Sequence, residues 1–230
     1  MRALTNRDFL DLWERGSALH PLDRALLVLA TADLGEPYEA LADWPLGRRN
    51  AALIRLRREW FGSALTGWIS CPRCSGRLEF SFDTGILLDQ PDEAASELSV
   101  DGRSFRALTT RDLASVAADS DESAAAHRLL RQCCSEKSEF TDEELELIGE
   151  RLAEHDPLAE TLLDFSCAPC GHRWAESLDI AAWLWAEIEA RSRRLLRDVH
   201  ALAAAYGWTE PEILALSEPR RALYLEMVQA

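Results

Sequence analysis

The sequence has little positive charge for its acidic content. It contains 25 lysine and arginine residues against 40 aspartate and glutamate residues, and its formal net charge at pH 7 is −15. A chain this acidic repels the phosphate backbone of nucleic acids. We therefore do not expect DNA or RNA to be its main partner, although arginine-rich stretches occur locally, as in residues 48–58.

Long apolar runs and the common catalytic motifs are also missing. No apolar run approaches the roughly 20 residues that span a membrane, and the first residues lack the apolar centre of a secretory signal. We therefore expect a cytoplasmic protein with no membrane partner. The sequence has no Gly-rich phosphate loop, no HExxH motif and no recognisable pairing of nucleophile and base. We expect no enzymatic activity and no small-molecule substrate.

Four of the six cysteines form two CxxC pairs, Cys71 with Cys74 and Cys167 with Cys170. This spacing is typical of a zinc knuckle, and four thiolates complete the tetrahedral shell of one Zn²⁺. We predict one structural zinc ion per chain, bound by all four cysteines. The insertion of residues 75–166 does not exclude a shared site, because the entropy cost of closing a loop grows slowly with its length.

Other roles for these residues remain open. The pairs could be redox dithiols, although neither lies in a predicted βαβ unit, or disulfides, which cytoplasmic proteins seldom keep. His172 could replace a cysteine as a ligand, although a histidine after CxxCG more often donates a hydrogen bond near the metal or faces solvent. Cys133 and Cys134 are adjacent in a helical pattern, and we expect them to pack in a core.

Hydrophobic periodicity predicts an α+β fold that is mainly helical. Alternating residues around each CxxC pair predict two β-hairpins that form one zinc ribbon. Asp101-Gly102 predicts the turn of a third hairpin, with strands over residues 97–100 and 103–108. Capping signals predict N-terminal helices starting at Thr5 and Pro21. The other predicted helices are residues 45–60, one opening at Thr109 or Thr110, 123–134, 141–154, 180–206 (ended by Gly207) and two short ones after it.

These elements suggest four regions. We expect an N-terminal helical segment over residues 1–67, a split zinc ribbon over 68–84 and 162–178, an inserted hairpin with helices over 85–161, and a C-terminal helical region over 179–230.

The long C-terminal helix combines tryptophan with arginine. Trp183 and Trp185 precede Arg193, Arg194 and Arg197, and both residue types are enriched where protein interfaces carry most of their binding energy. We predict a partner-binding surface from these five residues. The alternative is that Trp183 packs on the ribbon and Trp185 covers a neighbouring helix.

The C-terminal blocks DVHALA (198–203), YGWTEPEILAL (206–216) and RRALYL (220–225) resemble the end of small phage-tail assembly proteins. Together with LDLWERG (10–16), PLGRR (45–49) and the two knuckles, they resemble zinc-ribbon proteins associated with baseplate genes of contractile tails and phage-derived contractile injection systems. That group is related to the T4-type baseplate hub assembly chaperone. The resemblance covers most of the chain and supplies no active-site residues.

This resemblance implies a non-enzymatic assembly factor (a chaperone), or a minor component, whose partners are baseplate or hub proteins of a contractile tail-like particle. Two other functions remain open. One is a regulatory or nucleic-acid-associated zinc-ribbon protein, and the other is a thiol oxidoreductase.

Overall fold

The computed structural model describes residues 4–32, 34–89, 97–136 and 138–229. The helices are α1 (Asn6–Gly16), α2 (Pro21–Thr31), α3 (Tyr38–Leu41), α4 (Leu46–Phe61), α5 (Gly85–Leu88), α6 (Thr110–Val116), α7 (Glu122–Cys133), α8 (Asp142–His155), α9 (Ile180–Tyr206), α10 (Glu210–Leu214) and α11 (Glu218–Gln229). The strands are β1 (Ala64–Ser70), β2 (Arg77–Asp83), β3 (Leu98–Val100), β4 (Arg103–Phe105), β5 (Leu162–Ser166) and β6 (Arg173–Ser177). The fold is α+β with helices dominant, as predicted.

Local capping chemistry sets many of the helix starts. At α1, the Thr5 side chain accepts the N–H of Asp8 while the Asp8 carboxylate accepts the N–H of Thr5. This reciprocal box satisfies two backbone donors that the first helical turn leaves free. The same box opens α6, α8 and α10. At the other end of the longest helix, Gly207 takes a left-handed φ of 68° and closes α9.

The long helix α9 lies at the centre of the main core. It packs against α1, α2, α4, α10 and α11, so the N-terminal and C-terminal helices share one apolar interior. Phe9, Leu29, Leu53, Leu184 and Ile188 are each at most 1% exposed in this interior. Burying such side chains contributes roughly 1.5–3 kcal/mol apiece, which makes α9 the element that organises this part of the molecule.

Each pair of strands forms its own two-stranded antiparallel sheet: β1 with β2, β3 with β4, and β5 with β6. In the first hairpin Gly67 lies opposite Phe80, and in the last Phe165 lies opposite Trp174. Side chains alternate between half-buried and exposed along β2 and β5. The predicted ribbon hairpins are therefore present, and β1 starts at Ala64, before the Trp68 lead-in that the sequence suggested.

The inserted segment has a second hydrophobic cluster. Its buried residues are Phe105, Leu130, Cys133, Phe140, Ile148 and Leu152. The hairpin turn forms as predicted, with positive φ at Asp101 (49°) and Gly102 (78°). The expected strand running to Leu108 is wrong beyond Phe105, because the chain leaves β3 there and Arg106 N–H bonds the Cys133 carbonyl.

Two backbone donors of α4 connect this segment to the main core. Leu46 N–H bonds the Leu108 carbonyl at 2.9 Å, and Gly47 N–H bonds the Asp156 carboxylate at 3.0 Å. Pro45, the residue before α4, has no side-chain acceptor to serve these donors. The insertion therefore caps α4 from a distance. No helix in the described ranges is long and apolar enough to cross a membrane.

Candidate metal centre

The hairpins β1–β2 and β5–β6 bring the four predicted cysteines together. The sulfurs of Cys71 and Cys170 lie 3.7 Å apart, and those of Cys74 and Cys167 lie 3.6 Å apart. All four Sγ atoms fall within 4.8 Å of one another. Zn–S bonds of about 2.3 Å at tetrahedral angles place sulfurs about 3.8 Å apart. The spacing therefore fits one metal ion with the Zn–S bond length of zinc, and all four cysteines are free thiols, not disulfides.

The first knuckle is held by two backbone hydrogen bonds. Cys71 N–H bonds the Gly76 carbonyl at 2.9 Å, and Ser75 N–H bonds the Cys71 carbonyl at 2.8 Å. The second bond requires the chain to reverse sharply at Ser75, whose φ is 59°. This turn points both thiols of the CxxC pair toward one place, which is the geometric reason for the two-residue spacing.

The second knuckle repeats the arrangement. Cys167 N–H bonds the His172 carbonyl and Gly171 N–H bonds the Cys167 carbonyl, both at 2.8 Å. Gly171 takes a φ of 67°, which glycine adopts without strain. The two halves of the site thus have the same local fold although they lie far apart in the sequence.

The first cysteines of the two CxxC pairs are alike in their burial but differ in their pKa. The first cysteine of each pair is buried, Cys71 at 1% and Cys167 at 0% exposure. Burial raises the pKa of Cys71, but the N–H groups of Cys74 and Arg73 and the neighbouring thiols stabilise its thiolate and bring the pKa down to about 7. The N–H of Cys170 lowers the pKa of Cys167, yet burial and the adjacent thiols raise that pKa to about 12. The pKa values of Cys71 and Cys167 are thus shifted in opposite directions, and a cation bound between these thiols would stabilise the thiolate form of each.

A row of aromatic rings joins the two hairpins that carry the thiols. Phe80 of β2 meets Phe165 of β5 at 5.4 Å between ring centroids, and Phe165 stacks on Trp174 at 5.5 Å. His172 stacks on Trp174 at 5.7 Å. Among the described residues, the group that could hold a metal consists of the four cysteines without His172. His172 therefore belongs to the ring stack.

An open apolar groove adjoins the ribbon where α9 begins. Its volume is about 580 Å³, and Trp68, Phe80, Phe165 and Trp183 contribute rings to its walls. Trp183 lies 6.0 Å from Phe80 between ring centroids. Trp68 is 58% exposed, unusually high for a tryptophan. The groove presents aromatic surface to solvent on the same ribbon that carries the four cysteines.

The two tryptophans of α9 occupy different environments. Trp183 packs on the ribbon, as described above. Trp185 is only 6% exposed, lies against Gly16 of α1, and is covered by the guanidinium of Arg24 at 5.0 Å. The alternative interpretation therefore describes both residues, and Trp185 is part of the core instead of the predicted partner surface.

The three predicted surface arginines are placed further along α9. Arg193 pairs with Glu189 at 2.8 Å and Arg194 pairs with Glu218 at 2.6 Å. Arg197 is exposed. About 20 Å of helix separates Arg197 from Trp183 at 1.5 Å per residue. The five predicted residues thus do not form one continuous patch.

Cys133 and Cys134 lie in the insertion, outside the thiol cluster. Cys133 is 2% exposed, and its thiol donates to the Leu130 carbonyl at 3.4 Å. Burial raises the pKa of Cys133 to about 11, so little reactive thiolate forms at neutral pH. The expected packing role is confirmed for Cys133, and Cys134 packs partly buried against the same cluster.

One supporting contact gives no signal in the sequence. Arg57 of α4 is 3% exposed and forms a two-pronged ion pair with Glu187 of α9, at 2.7 and 3.0 Å. Its remaining nitrogen bonds the carbonyls of Gly62 and Ala64 at 2.9 and 2.8 Å. Arg57 therefore fixes the start of β1, and with it the first knuckle, to the central helix. The pair is 130 positions apart, and no local motif marks it.

No protein-family model, curated protein or solved structure matches this chain. The resemblance to baseplate-associated zinc-ribbon proteins therefore rests on the sequence blocks quoted above and stays a prediction.

Proposed function

We propose that the protein is a non-enzymatic assembly factor, or a minor component, for the baseplate hub of a contractile tail-like particle. One structural zinc ion per chain holds its ribbon together, and the groove beside the ribbon binds a hub protein. The observation that carries this proposal is the joining of a closed four-thiol cluster to an exposed aromatic groove.

The donor set supports a structural role for the metal. Four thiolates fill every position of a tetrahedral ion, which leaves none for a substrate or an activated water. Zinc bound there joins two segments that are 93 to 99 positions apart in sequence. Leu178 N–H, just before α9, bonds the Thr161 carbonyl at 2.8 Å, so the ribbon also fixes where the central helix begins. The four cysteines thus hold a binding platform in place.

The groove supports a protein partner. Exposed aromatic rings bury a large area at low conformational cost, and tryptophan is prominent among interface residues that carry binding energy. In an assembly factor that binds an apolar segment of a hub protein, the Trp68 side of the groove would make the first contact. The acidic surface of the chain keeps such a protein soluble and complements a basic partner.

Co-purification with hub proteins of a contractile particle from the same genome tests the proposal. We expect the zinc-loaded protein to retain a hub protein, and Trp68→Ala to weaken that capture about tenfold or more. Ile86→Ala is the matched control, because Ile86 is 59% exposed and lies outside the groove.

Three results would contradict the proposal. Equal capture of the hub protein by Trp68→Ala and Ile86→Ala would show that the groove does not bind it. Salt-sensitive binding to DNA or RNA without hub capture would favour the regulatory zinc-ribbon alternative. A reducible disulfide in either CxxC pair, with no bound metal, would favour a thiol oxidoreductase.

A further inference from the structure

A second cavity shares two lining residues, Glu187 and Ala190, with the aromatic groove. Its volume is about 350 Å³. Arg191, Arg194 and Arg221 line it together with apolar side chains. Three guanidinium groups around one cavity are unexpected in a chain of net charge −15.

The carboxylates of the cavity are already paired. Glu187 is bound by Arg57, and Glu218 is bound by Arg194 at 2.6 Å. Arg191, by contrast, forms no ion pair with any carboxylate of the described residues; its one hydrogen bond among them is donated to the Asn6 side chain, at 3.4 Å. Arg191 is therefore the cation of this cavity that the described part of the chain does not neutralise.

Arg191 is also held in place. Its guanidinium lies over the ring of Phe9, 4.0 Å from the ring centroid, and the side chain is half-buried. Burial, and the nearby charges of Arg221 and Arg194, lower the pKa of Arg191, while Glu218 opposes this. Arg191, Arg194 and Arg221 repel one another across the cavity, and a bound anion would offset that repulsion.

Arg221 supplies an independent observation. Its side chain is 3% exposed, and its Nε donates to Asp198 at 2.9 Å. Its Nη1 is buried and has no hydrogen-bond partner among the described residues. An unmet donor on a buried charged group is costly, and here it belongs to a side chain that lines the cavity.

We propose that this cavity, defined by Arg191, Arg194 and Arg221, binds a carboxylate that carries an apolar group, as at the end of a polypeptide. Guanidinium groups match the two oxygens of a carboxylate. The apolar walls, formed by Phe61, Ala190 and Leu195, favour such a ligand over a free inorganic anion. The inference goes beyond the proposed function, and its test needs no hub protein.

The test is a titration of the ¹⁵N-labelled, zinc-loaded protein, followed through the arginine Nε–H signals by NMR. The probes are N-acetyl-leucine, N-acetyl-leucinamide, which keeps the apolar group without the charge, and inorganic phosphate. We expect saturable shifts of the Arg191 and Arg221 signals with N-acetyl-leucine. The amide should cause none, and phosphate should bind more weakly.

Variants locate the site. Arg191→Gln should weaken N-acetyl-leucine binding about tenfold or more, because one charged hydrogen-bond donor is lost. Arg197→Gln, which removes one exposed charge from the same helix outside the cavity, should leave the affinity unchanged. Arg191→Lys keeps the positive charge but lacks the planar guanidinium, so its affinity for N-acetyl-leucine should lie between those of the two glutamine variants. It also tests the site if the glutamine variant alters the backbone amide spectrum.

The proposal is overturned if N-acetyl-leucine gives no saturable shift, or if Arg191→Gln and Arg197→Gln bind it equally well. Binding of phosphate as tight as that of N-acetyl-leucine would overturn the assignment to a carboxylate with an apolar group. Loss of hub capture with this titration intact would count against the proposed function alone.

Discussion

Ser75 and Gly171 occupy equivalent positions in the two knuckles, and both have left-handed backbone, with φ of 59° and 67°. Each donates its N–H to the carbonyl of the first cysteine of its pair at 2.8 Å. This conformation costs an L-residue about 1–2 kcal/mol, whereas glycine adopts it freely. The first knuckle therefore carries backbone strain that the second does not.

Exchanging the residue types at these two positions should change stability in opposite directions. We expect Ser75→Gly to raise the free energy of unfolding by up to about 1 kcal/mol, since relief of strain exceeds the added chain entropy. Gly171→Ser should lower it by about 1 kcal/mol. A Cβ at Gly171 would meet no atom within 4 Å, so the loss would come from φ alone. Urea unfolding of the zinc-loaded proteins measures both changes. A Gly171→Ser variant as stable as the parent protein would contradict the cost assigned to left-handed backbone at this position.

Removing one thiol from the cluster should unfold the ribbon. We expect Cys71→Ser to bind no zinc tightly and to lose about 3 kcal/mol or more of stability, because the ion joins two remote hairpins. Cys134→Ser is the control, since Cys134 lies outside the cluster. Native mass spectrometry before and after chelation, together with thermal unfolding, measures both effects. A melting temperature of Cys71→Ser equal to that of the parent protein would refute a structural metal.

Local signals in the sequence predicted the parts of this fold that depend on neighbouring residues. The Thr5 capping box, the Asp101-Gly102 turn and the Gly207 helix end all act within a few residues, so each is visible in the chain itself. The CxxC spacing predicted the cluster for the same reason. Each knuckle is a local turn, and four thiols around one metal require the two knuckles to meet.

Features that depend on contacts between residues far apart in the sequence could not be predicted from it. Its pattern of tryptophan and arginine on α9 could not show that Trp185 faces Gly16 while Trp183 faces the ribbon, because that depends on how α1 packs. The single-turn helices α3 and α5 are too short for periodicity to register. The Arg57–Glu187 pair joins residues 130 positions apart.

A substitution at Gly67 tests how closely Trp183 approaches the ribbon. A Cβ at Gly67 would lie 2.5 Å from the Trp183 ring and 2.9 Å from the Phe80 ring. We expect Gly67→Ala to displace Trp183 and lower stability by about 1–3 kcal/mol, as overpacking does. Gly149→Ala is the control: its Cβ would meet no atom within 4 Å and it lies inside α8, so it should raise stability by up to about 1 kcal/mol. Tryptophan fluorescence and urea unfolding measure both, and a stabilised Gly67→Ala variant would contradict this contact.

The contact between Asp156 and Gly47 gives the most specific prediction, because the two residues should not act independently. The Asp156 carboxylate is the acceptor for the second N–H of α4 and is 5% exposed. We expect Asp156→Ala to cost about 1–3 kcal/mol, since it leaves a buried backbone donor unmet. Gly47→Ala should also destabilise, because a Cβ at Gly47 would overlap the Asp156 carboxylate.

In the Asp156→Ala background the effect of Gly47→Ala should reverse. Removing the carboxylate removes its overlap with the Cβ. Alanine is then preferred over glycine, by up to about 1 kcal/mol, the value for a helix interior, because Gly47 lies in the first turn of α4. A double-mutant cycle of four proteins, each unfolded in urea with zinc bound, measures the coupling. If the two changes add to within about 0.5 kcal/mol, the carboxylate does not cap α4. A reversed sign would show that the insertion stabilises the helix leading into the first knuckle, and so contributes to placing Cys71 and Cys74 at the metal centre.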